Sequence, residues 1–382
     1  MRFPRPVNCT GIAACILLLA AACAGPTPAP GLSLSPAPTP APSPTARAVI
    51  PNAVNLPADE GIHLAPVEWW YFNGHLSDTD GNQYSFHFVN FITVTSDGQI
   101  PQLMQLSLAD HNEGLYLTDE KPALVNNLQP TQGSFSFDTA GWHMSGDGSG
   151  YDLIFNTGGY SLDLAATSQR PAVLHQGSGL VDMGKAGKTF YYSRTRLDIS
   201  GTLTRNGEST PVAGSAWMDR QWGDFSTQPV GWDWASLQMD DGSQLMISLV
   251  WDSSSRQPII SYGTYVPASL PSLDGDSGGA ASSVRHLSGD DISLTPMGSW
   301  RRPASRVEYP SGWLLKIYPL DLELTLVPVQ RNAEFGDSLY VLIAYWEGAV
   351  TVKGTQGGNK TTGRGFVELV GYDKARPPSQ TP

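Results

Sequence analysis

Ionisable residues lie among tryptophans in the stretch from Gly214 to Trp251. Five of the chain's eleven tryptophans fall within this segment, namely Trp217, Trp222, Trp232, Trp234 and Trp251. The charged residues beside them are Asp219, Arg220, Asp224 and Asp233. A carboxylic acid against an apolar wall has a raised pKa and can donate a proton near neutral pH. Buried charges are costly unless each has a partner, so the alternative is an Asp–Arg network that ties a β-protein core together.

Further candidate residues lie in three other aromatic or glycine-supported segments. EWWYFNGH contains Trp69 and Trp70, and the loop LHQGSG carries His175. In FYYSRTRL, strand alternation places Tyr192 on one face and Tyr191 on the other. The same alternation applies to the consecutive pair in AWMDRQW, so its aspartate and arginine point to opposite faces. One of them is expected to face inward and the other outward or across a domain junction.

Several classes of chemistry and partner are excluded by the sequence. Its GxSxG pattern, GDSGG at residues 275–279, falls in a glycine- and serine-rich segment rather than at a strand-to-helix elbow, and the sequence contains no HExxH pair and no glycine-rich phosphate loop. The seven histidines are scattered, and their spacing assembles no metal site, so we expect neither a metal nor a cofactor. The formal net charge of −12 repels nucleic acid, which is therefore not an expected partner.

The elements that must position these residues are β-strands. Alternating or aromatic-rich runs of strand length recur from residue 49 onward, separated by DG and NG turn pairs, which is typical of an all-β protein of hairpins. About 330 residues are too many for one small barrel, so two tandem antiparallel β-barrels or curved sheets are expected. A ligand site at their junction, near residues 225–231, has the geometry of inter-domain pockets.

A weak internal repeat supports the two units. Residues 69–88 align with 231–249 through a shared DGxQ turn, and the following segments place Tyr192 on Tyr345 and Asp219 on Glu368. Glu368 stands between Val367 and Leu369 rather than beside tryptophans. The first copy is therefore expected to carry the chemistry and the second a structural role.

The chain begins with an export signal followed by a tether. Two arginines are followed by the apolar run GIAACILLLAAAC, which ends at Cys23, and this pattern predicts a signal peptide over residues 1–22 and lipidation of Cys23. Ordinary cleavage near Ala22–Ala24 is the alternative. The predicted protein is exported to the cell envelope and anchored by its lipid at an extracytoplasmic membrane face. The predicted segments after the signal are a Pro-rich linker over 23–48, domains over 49–228 and 229–376, a tail over 377–382, and within the second domain a flexible surface loop over 268–291.

Blocks along most of the chain resemble one protein family. EWWYFNGHL, LHQGSG, YYSRTRL, GSAWMDRQWGDF, GWDWASLQMDDGSQLM, YWEGAVTVKG and GRGFVELVGY are similar to the signature blocks of the carotenoid 1,2-hydratase (hydroxyneurosporene synthase) family. The resemblance covers about residues 60–375. It implies two tandem lipocalin-like antiparallel β-barrel domains with an apolar pocket, and hydratase, cyclase or unassigned activity.

Together the residues and the resemblance predict a hydratase-type lyase that adds water to a C=C bond of an isoprenoid or similar lipid. Asp219 is the candidate acid, and Asp233, Tyr192 and His175 are candidate water-positioning groups. Arg220 would hold a carboxylate or bind a polar end of the substrate. The predicted ligand-binding walls are Trp69, Trp70, Trp217, Trp222, Trp232 and Trp234. The alternatives are a non-catalytic lipid-binding lipoprotein and, after it, a secreted hydrolase or pericyclic cyclase.

Overall fold

The computed structural model describes residues 53–226, 230–269, 284–336 and 344–373. The predicted signal peptide, Cys23, the Pro-rich linker and the tail lie outside these ranges, as do residues 227–229 of the connector between the predicted domains. Within the described ranges, no helix is long and apolar enough to cross a membrane.

The first half of the described chain forms one twelve-stranded antiparallel sheet. Its strands are β1 (Val67–Asp78), β2 (Gln83–Thr93), β3 (Pro101–Asp110), β4 (Leu115–Leu124), β5 (Phe135–Thr139), β6 (Trp142–Gly146), β7 (Gly150–Thr157), β8 (Tyr160–Ser168), β9 (Val173–Leu174), β10 (Leu180–Asp182), β11 (Gly187–Arg205) and β12 (Glu208–Phe225). The strand order is β4-β3-β2-β1-β12-β11-β8-β7-β6-β5, with β9 and β10 paired to β11. This sheet curls into a nearly closed barrel.

The second half forms a ten-stranded antiparallel sheet and a small two-stranded one. The strands are β13 (Val230–Met239), β14 (Gln244–Asp252), β15 (Pro258–Val266), β16 (Arg285–Ser288), β17 (Ile292–Pro296), β18 (Ser299–Arg301), β19 (Glu308–Pro310), β20 (Trp313–Ile317), β21 (Leu322–Pro328), β22 (Glu334–Phe335), β23 (Tyr345–Gln356) and β24 (Asn359–Val370). The large sheet runs β16-β15-β14-β13-β24-β23-β21-β20-β17, and β18 pairs with β19. Short 3-10 turns occur at Ala58–Glu60, His175–Gly177, Gly184–Ala186, Gly289–Asp291 and Tyr318–Leu320. The fold is therefore the predicted pair of lipocalin-like barrels.

Strand alternation separates barrel interior from barrel exterior. Along β8 every second side chain is buried, from Tyr160 through Leu162 and Leu164 to Ala166, while the intervening residues are exposed. Large side chains of this kind fill the first barrel, and a second such core fills the other. Around β1, β11, β12, β13 and β24 both faces are buried, because the outer faces of these strands form a third apolar cluster between the barrels.

The two barrels contact one another through reciprocal hydrogen bonds. A ring nitrogen of His75 donates to the carbonyl oxygen of Gly365 (3.2 Å), and the side-chain amide of Gln238 donates to that of Ala216 (2.9 Å). Asn73, which pairs in register with Trp217, donates to Ser236, which pairs with Phe366. Such reciprocity is what a duplicated, self-complementary surface produces around a pseudo-twofold axis.

The register corrects one detail of the predicted repeat. Tyr191 pairs with Gln221, two residues after Asp219, and Tyr345 pairs with Val370, two residues after Glu368. Tyr191 rather than Tyr192 is therefore equivalent to Tyr345. A bulge between Arg194 and Leu197 hid this shift from the sequence alignment.

The predicted loop 268–291 is wrong over its last part. Strand β16 pairs with β15 there and buries Leu287, because the edge of β15 offers backbone partners that a glycine- and serine-rich sequence does not reveal. Residues 270–283 of this predicted loop lie outside the described ranges.

Candidate functional site

Asp219 lies on the outer face of the first barrel and is buried in the junction cluster. Its carboxylate accepts hydrogen bonds from the Tyr191 hydroxyl (2.5 Å), the Trp217 indole (2.6 Å) and the Ser193 hydroxyl. Burial raises the pKa of Asp219 to about 6, against the opposing effect of these three donors. The indole of Trp234, from the second barrel, donates to Tyr191 (3.0 Å), so both barrels hold this carboxylate in place.

His175 lies behind Asp219 and joins the same hydrogen-bond chain. Since the Ser193 hydroxyl donates to Asp219, it accepts from Nε2 of His175 (2.7 Å), and Nδ1 of His175 accepts from the Thr264 hydroxyl (2.9 Å). Burial lowers the pKa of His175 well below its ordinary value, so this imidazole is neutral. The ring also contacts Tyr191 at a centroid distance of 4.1 Å.

The second barrel contributes two more carboxylates to the junction. Glu368 on β24 pairs in register with Trp234 on β13 and with Glu347 on β23. In the first barrel, Asp219 on β12 pairs in the same way with Tyr71 on β1 and with Ser193 on β11. Glu347 is fully buried and accepts from the Tyr71 hydroxyl (2.7 Å). Burial raises the pKa of Glu347 well above its ordinary value, and the nearby Glu368 charge adds to the effect.

Glu368 does have a tryptophan partner, contrary to the sequence expectation. The indole of Trp232 donates to its carboxylate (2.9 Å) because β13 pairs with β24, so the aromatic neighbour comes from the adjacent strand rather than from the adjacent residue. Burial raises the pKa of Glu368 to about 7, opposed by this hydrogen bond and reinforced by Asp219. Three coupled acids therefore meet where the barrels touch.

Arg220 lies on the opposite face of β12 from Asp219, as predicted for consecutive strand residues. It is fully buried inside the first barrel, where its guanidinium forms an ion pair with Glu68 and stacks over Trp70 at 3.7 Å and Trp222 at 4.9 Å. Burial alone would raise the pKa of Glu68, but the Arg220 charge brings it below its ordinary value. Arg220, Trp70 and Trp222 are thus separated from the junction by the sheet itself.

Tyr192 also faces the interior of the first barrel. Its hydroxyl donates to Glu60 (2.8 Å), which forms an ion pair with Arg194. Glu60 belongs to the segment before β1, which also contributes His63, stacked on Trp222 at 4.1 Å. The sequence alone does not single out this segment, because it lacks the alternation of apolar and polar residues that is typical of a strand.

Asp233 is separate from the junction as well. It lies on the other face of β13 from Trp232 and Trp234 and accepts from the Tyr372 hydroxyl (2.9 Å). Burial raises the pKa of Asp233 to about 6, opposed by that hydrogen bond. Of the predicted residues, those gathered at the junction are Asp219, His175, Trp69, Trp217, Trp232 and Trp234.

Half-buried apolar side chains pack against the junction cluster, and we call them the junction rim. It comprises Val67, Trp69, Phe91, Trp232, Ile259 and Ile260. The indole of Trp69 packs edge-on against Phe91 and Phe225. Glu368 is half-buried beside Trp232, so an acid lies next to this apolar surface.

The described part of the molecule also contains a surface depression and a small cavity. An open depression of about 470 Å³ is lined by the β5–β6 hairpin and Ile154, outside the first barrel. A cavity of about 10 Å³ lies between the barrels beside Glu347. Over the described ranges, no group of three or more His, Cys, Asp or Glu side chains could hold a metal ion.

Comparison with known protein families shows which family the chain belongs to. The AttH-like family model matches residues 47–372. The chain belongs to the AttH-like family. A relative is kievitone hydratase from Fusarium solani subsp. phaseoli, 21% identical over 316 residues that cover 79% of this chain and 81% of the relative.

Solved structures share this fold. An AttH protein from Nitrosomonas europaea aligns with a TM-score of 0.73 at 26% identity, over 86% of this chain and 99% of that one. Kievitone hydratase from Nectria haematococca aligns with a TM-score of 0.66 at 20% identity, over 84% and 94%. CghA in complex with Sch210972 aligns with a TM-score of 0.53 at 14% identity, over 85% and 93%. These matches confirm the family resemblance predicted from the sequence blocks.

Proposed function

We propose that the barrel junction adds water to a carbon–carbon double bond of an apolar, isoprenoid- or lipid-like ligand by acid catalysis. The observation that carries the proposal is the cluster of Asp219, Glu347 and Glu368, three carboxyl groups with raised pKa values among aromatic side chains at the junction. Similarity to kievitone hydratase supports a hydratase-like function.

The junction rim is the proposed ligand surface. Its tryptophans and phenylalanine offer flat apolar contact, and Glu368 beside Trp232 is the acid next to that surface. A pKa of about 7 is close to the optimum for a general acid at neutral pH. The aromatic faces would stabilise a positively charged intermediate.

The proposed reaction balances without a cofactor. The Glu368 proton and the π electron pair form a new C–H bond, which leaves a carbocation at the adjacent carbon. A water oxygen forms the C–O bond, and a proton of that water passes to Asp219. With a pKa of about 6, Asp219 is mostly ionised at neutral pH and can accept it. This assigns Asp219 to the base rather than to the acid expected from sequence.

The test has two stages. Mass spectrometry of co-purified ligands should detect an alkene together with its hydrate, and incubation in water labelled with heavy oxygen should label the alcohol. Glu368→Gln and Asp219→Asn should each lower turnover by about 10²–10⁴-fold. Glu323→Gln, which changes an exposed glutamate on β21, is the matched control and should retain activity.

A carrier without catalysis is the second candidate, and one observation favours it. Asp219 is saturated by three hydrogen-bond donors, which also suits a structural carboxylate. An unaltered co-purified lipid, with no label incorporated, would support the carrier and contradict the hydratase.

A further inference from the structure

Three buried polar atoms without a hydrogen-bond partner belong to residues that line one small cavity between the barrels. They are Oε2 of Glu347, Nδ1 of His111 and Oε1 of Gln330. All three residues line the cavity of about 10 Å³, together with side chains from both barrels. A buried polar atom left unpaired costs about 1–3 kcal/mol, so three around one space require a common partner.

The cavity fits one water molecule in size and in chemistry. A water needs about 10–15 Å³ of probe-occupied volume and two to four polar partners. Gln330 Oε1 can only accept a hydrogen bond, whereas a carboxyl oxygen and an imidazole nitrogen can take either role. The other ring nitrogen of His111 is hydrogen-bonded to the Ser85 hydroxyl (2.9 Å), which leaves Nδ1 for the water.

Glu347 faces this cavity with one oxygen and the junction with the other. Its Oε1 accepts from Tyr71, and its backbone carbonyl accepts from the Tyr116 hydroxyl (2.9 Å). Glu368 is its direct cross-strand neighbour, and side chains in such pairs have Cβ atoms about 4.5–5.5 Å apart. Burial and the Glu368 and Asp219 charges favour the protonated form of Glu347. His111 lines the cavity and is itself partly exposed to solvent.

We propose that one water molecule, held by Glu347 Oε2, His111 Nδ1 and Gln330 Oε1, lets Glu347 exchange its proton with solvent and return protons to Glu368. This role of Glu368 rests on the proposed function. After Glu368 has protonated the alkene, Glu347 transfers its proton to the Glu368 carboxylate and takes one from the water. The water is recharged from solvent past His111, while the proton taken up by Asp219 returns to solvent, so charge balances over a turnover.

Infrared spectroscopy of the full-length protein tests the proposal without a substrate. Wild type at neutral pH should show a protonated-carboxyl band that Glu347→Gln removes. In deuterated water this band should shift through exchange, and Gln330→Leu and His111→Leu should each slow the exchange by about tenfold, as expected when one hydrogen bond to the water is lost. His143→Leu, on the outer β5–β6 hairpin, should not slow it.

Two outcomes would overturn the proposal. One is the absence of a band that depends on Glu347, and the other is exchange at the wild-type rate in both cavity variants. If His111→Leu does not fold, Gln330→Leu alone decides the second point. Because neither readout requires turnover, a protein that passes both but hydrates no alkene refutes the proposed function and leaves the proton exchange of Glu347 standing.

Discussion

Replacing Asp219 by asparagine should change how stability depends on pH. Burial raises the pKa of Asp219 from 3.8 to about 6, so the folded protein binds this proton more tightly than the unfolded chain. The stabilisation from that proton is fully present below pH 3.8 and is lost as the pH rises through about 6. The difference between the two pKa values corresponds to about 3 kcal/mol of unfolding free energy. In Asp219→Asn the carbonyl accepts from Ser193 and Trp217, and the amide donates to the Tyr191 oxygen, so the fold should persist.

Denaturant unfolding between pH 4 and pH 7.5 measures this effect as the gap in unfolding free energy between Asp219→Asn and wild type. The unfolding free energy of Asp219→Asn should gain about 2.4 kcal/mol relative to wild type across that range, with most of the change near pH 5. Asp163→Asn, which neutralises an exposed carboxylate on β8, controls for the change in net charge and should track wild type. A gap that stays constant with pH would refute the assignment of a raised pKa to Asp219.

Three further predictions test the packing and the tether. Arg220→Met leaves Glu68 buried without its cation and should cost about 3–5 kcal/mol in denaturant unfolding; a wild-type midpoint would contradict a buried ion pair. Gly214→Ala would place its Cβ 1.8 Å from the carbonyl oxygen of His75. We expect it to destabilise the first barrel by about 1–3 kcal/mol, and an unchanged melting temperature would show that the strands can separate freely there. Cys23→Ser should abolish incorporation of labelled palmitate and release the protein from the envelope fraction, whereas an unlabelled wild type would contradict the anchor.

The sequence predicts which face of a strand each side chain occupies, but it does not predict which strand faces come together in one site. Alternation correctly separates Asp219 from Arg220 and Tyr191 from Tyr192. In this fold, however, both faces of β12 are buried, one in the barrel and one in the junction. A tryptophan next to Asp219 in sequence can therefore belong to either environment, and Trp222 belongs to the barrel.

Glu347 of the second barrel was not among the predicted residues for a different physical reason. Glu347 follows Trp346 in YWEGAVTVKG, but its equivalent in the first barrel is Ser193, so the repeat gives no acid to compare. Its importance comes from contacts with Tyr71 and from the charge of Glu368, both of which depend on how the strands pair. Alternation of acid and aromatic residues on β23 and β24 could have indicated a shared face.

A crystal structure with the co-purified apolar ligand bound tests the central claim most directly. We expect the ligand along the junction rim between Trp69 and Trp232, with its double bond against Glu368 and on the side of Asp219. A ligand held inside either barrel, separated by a sheet from these carboxylates, would contradict the claim that the junction is the site of hydration.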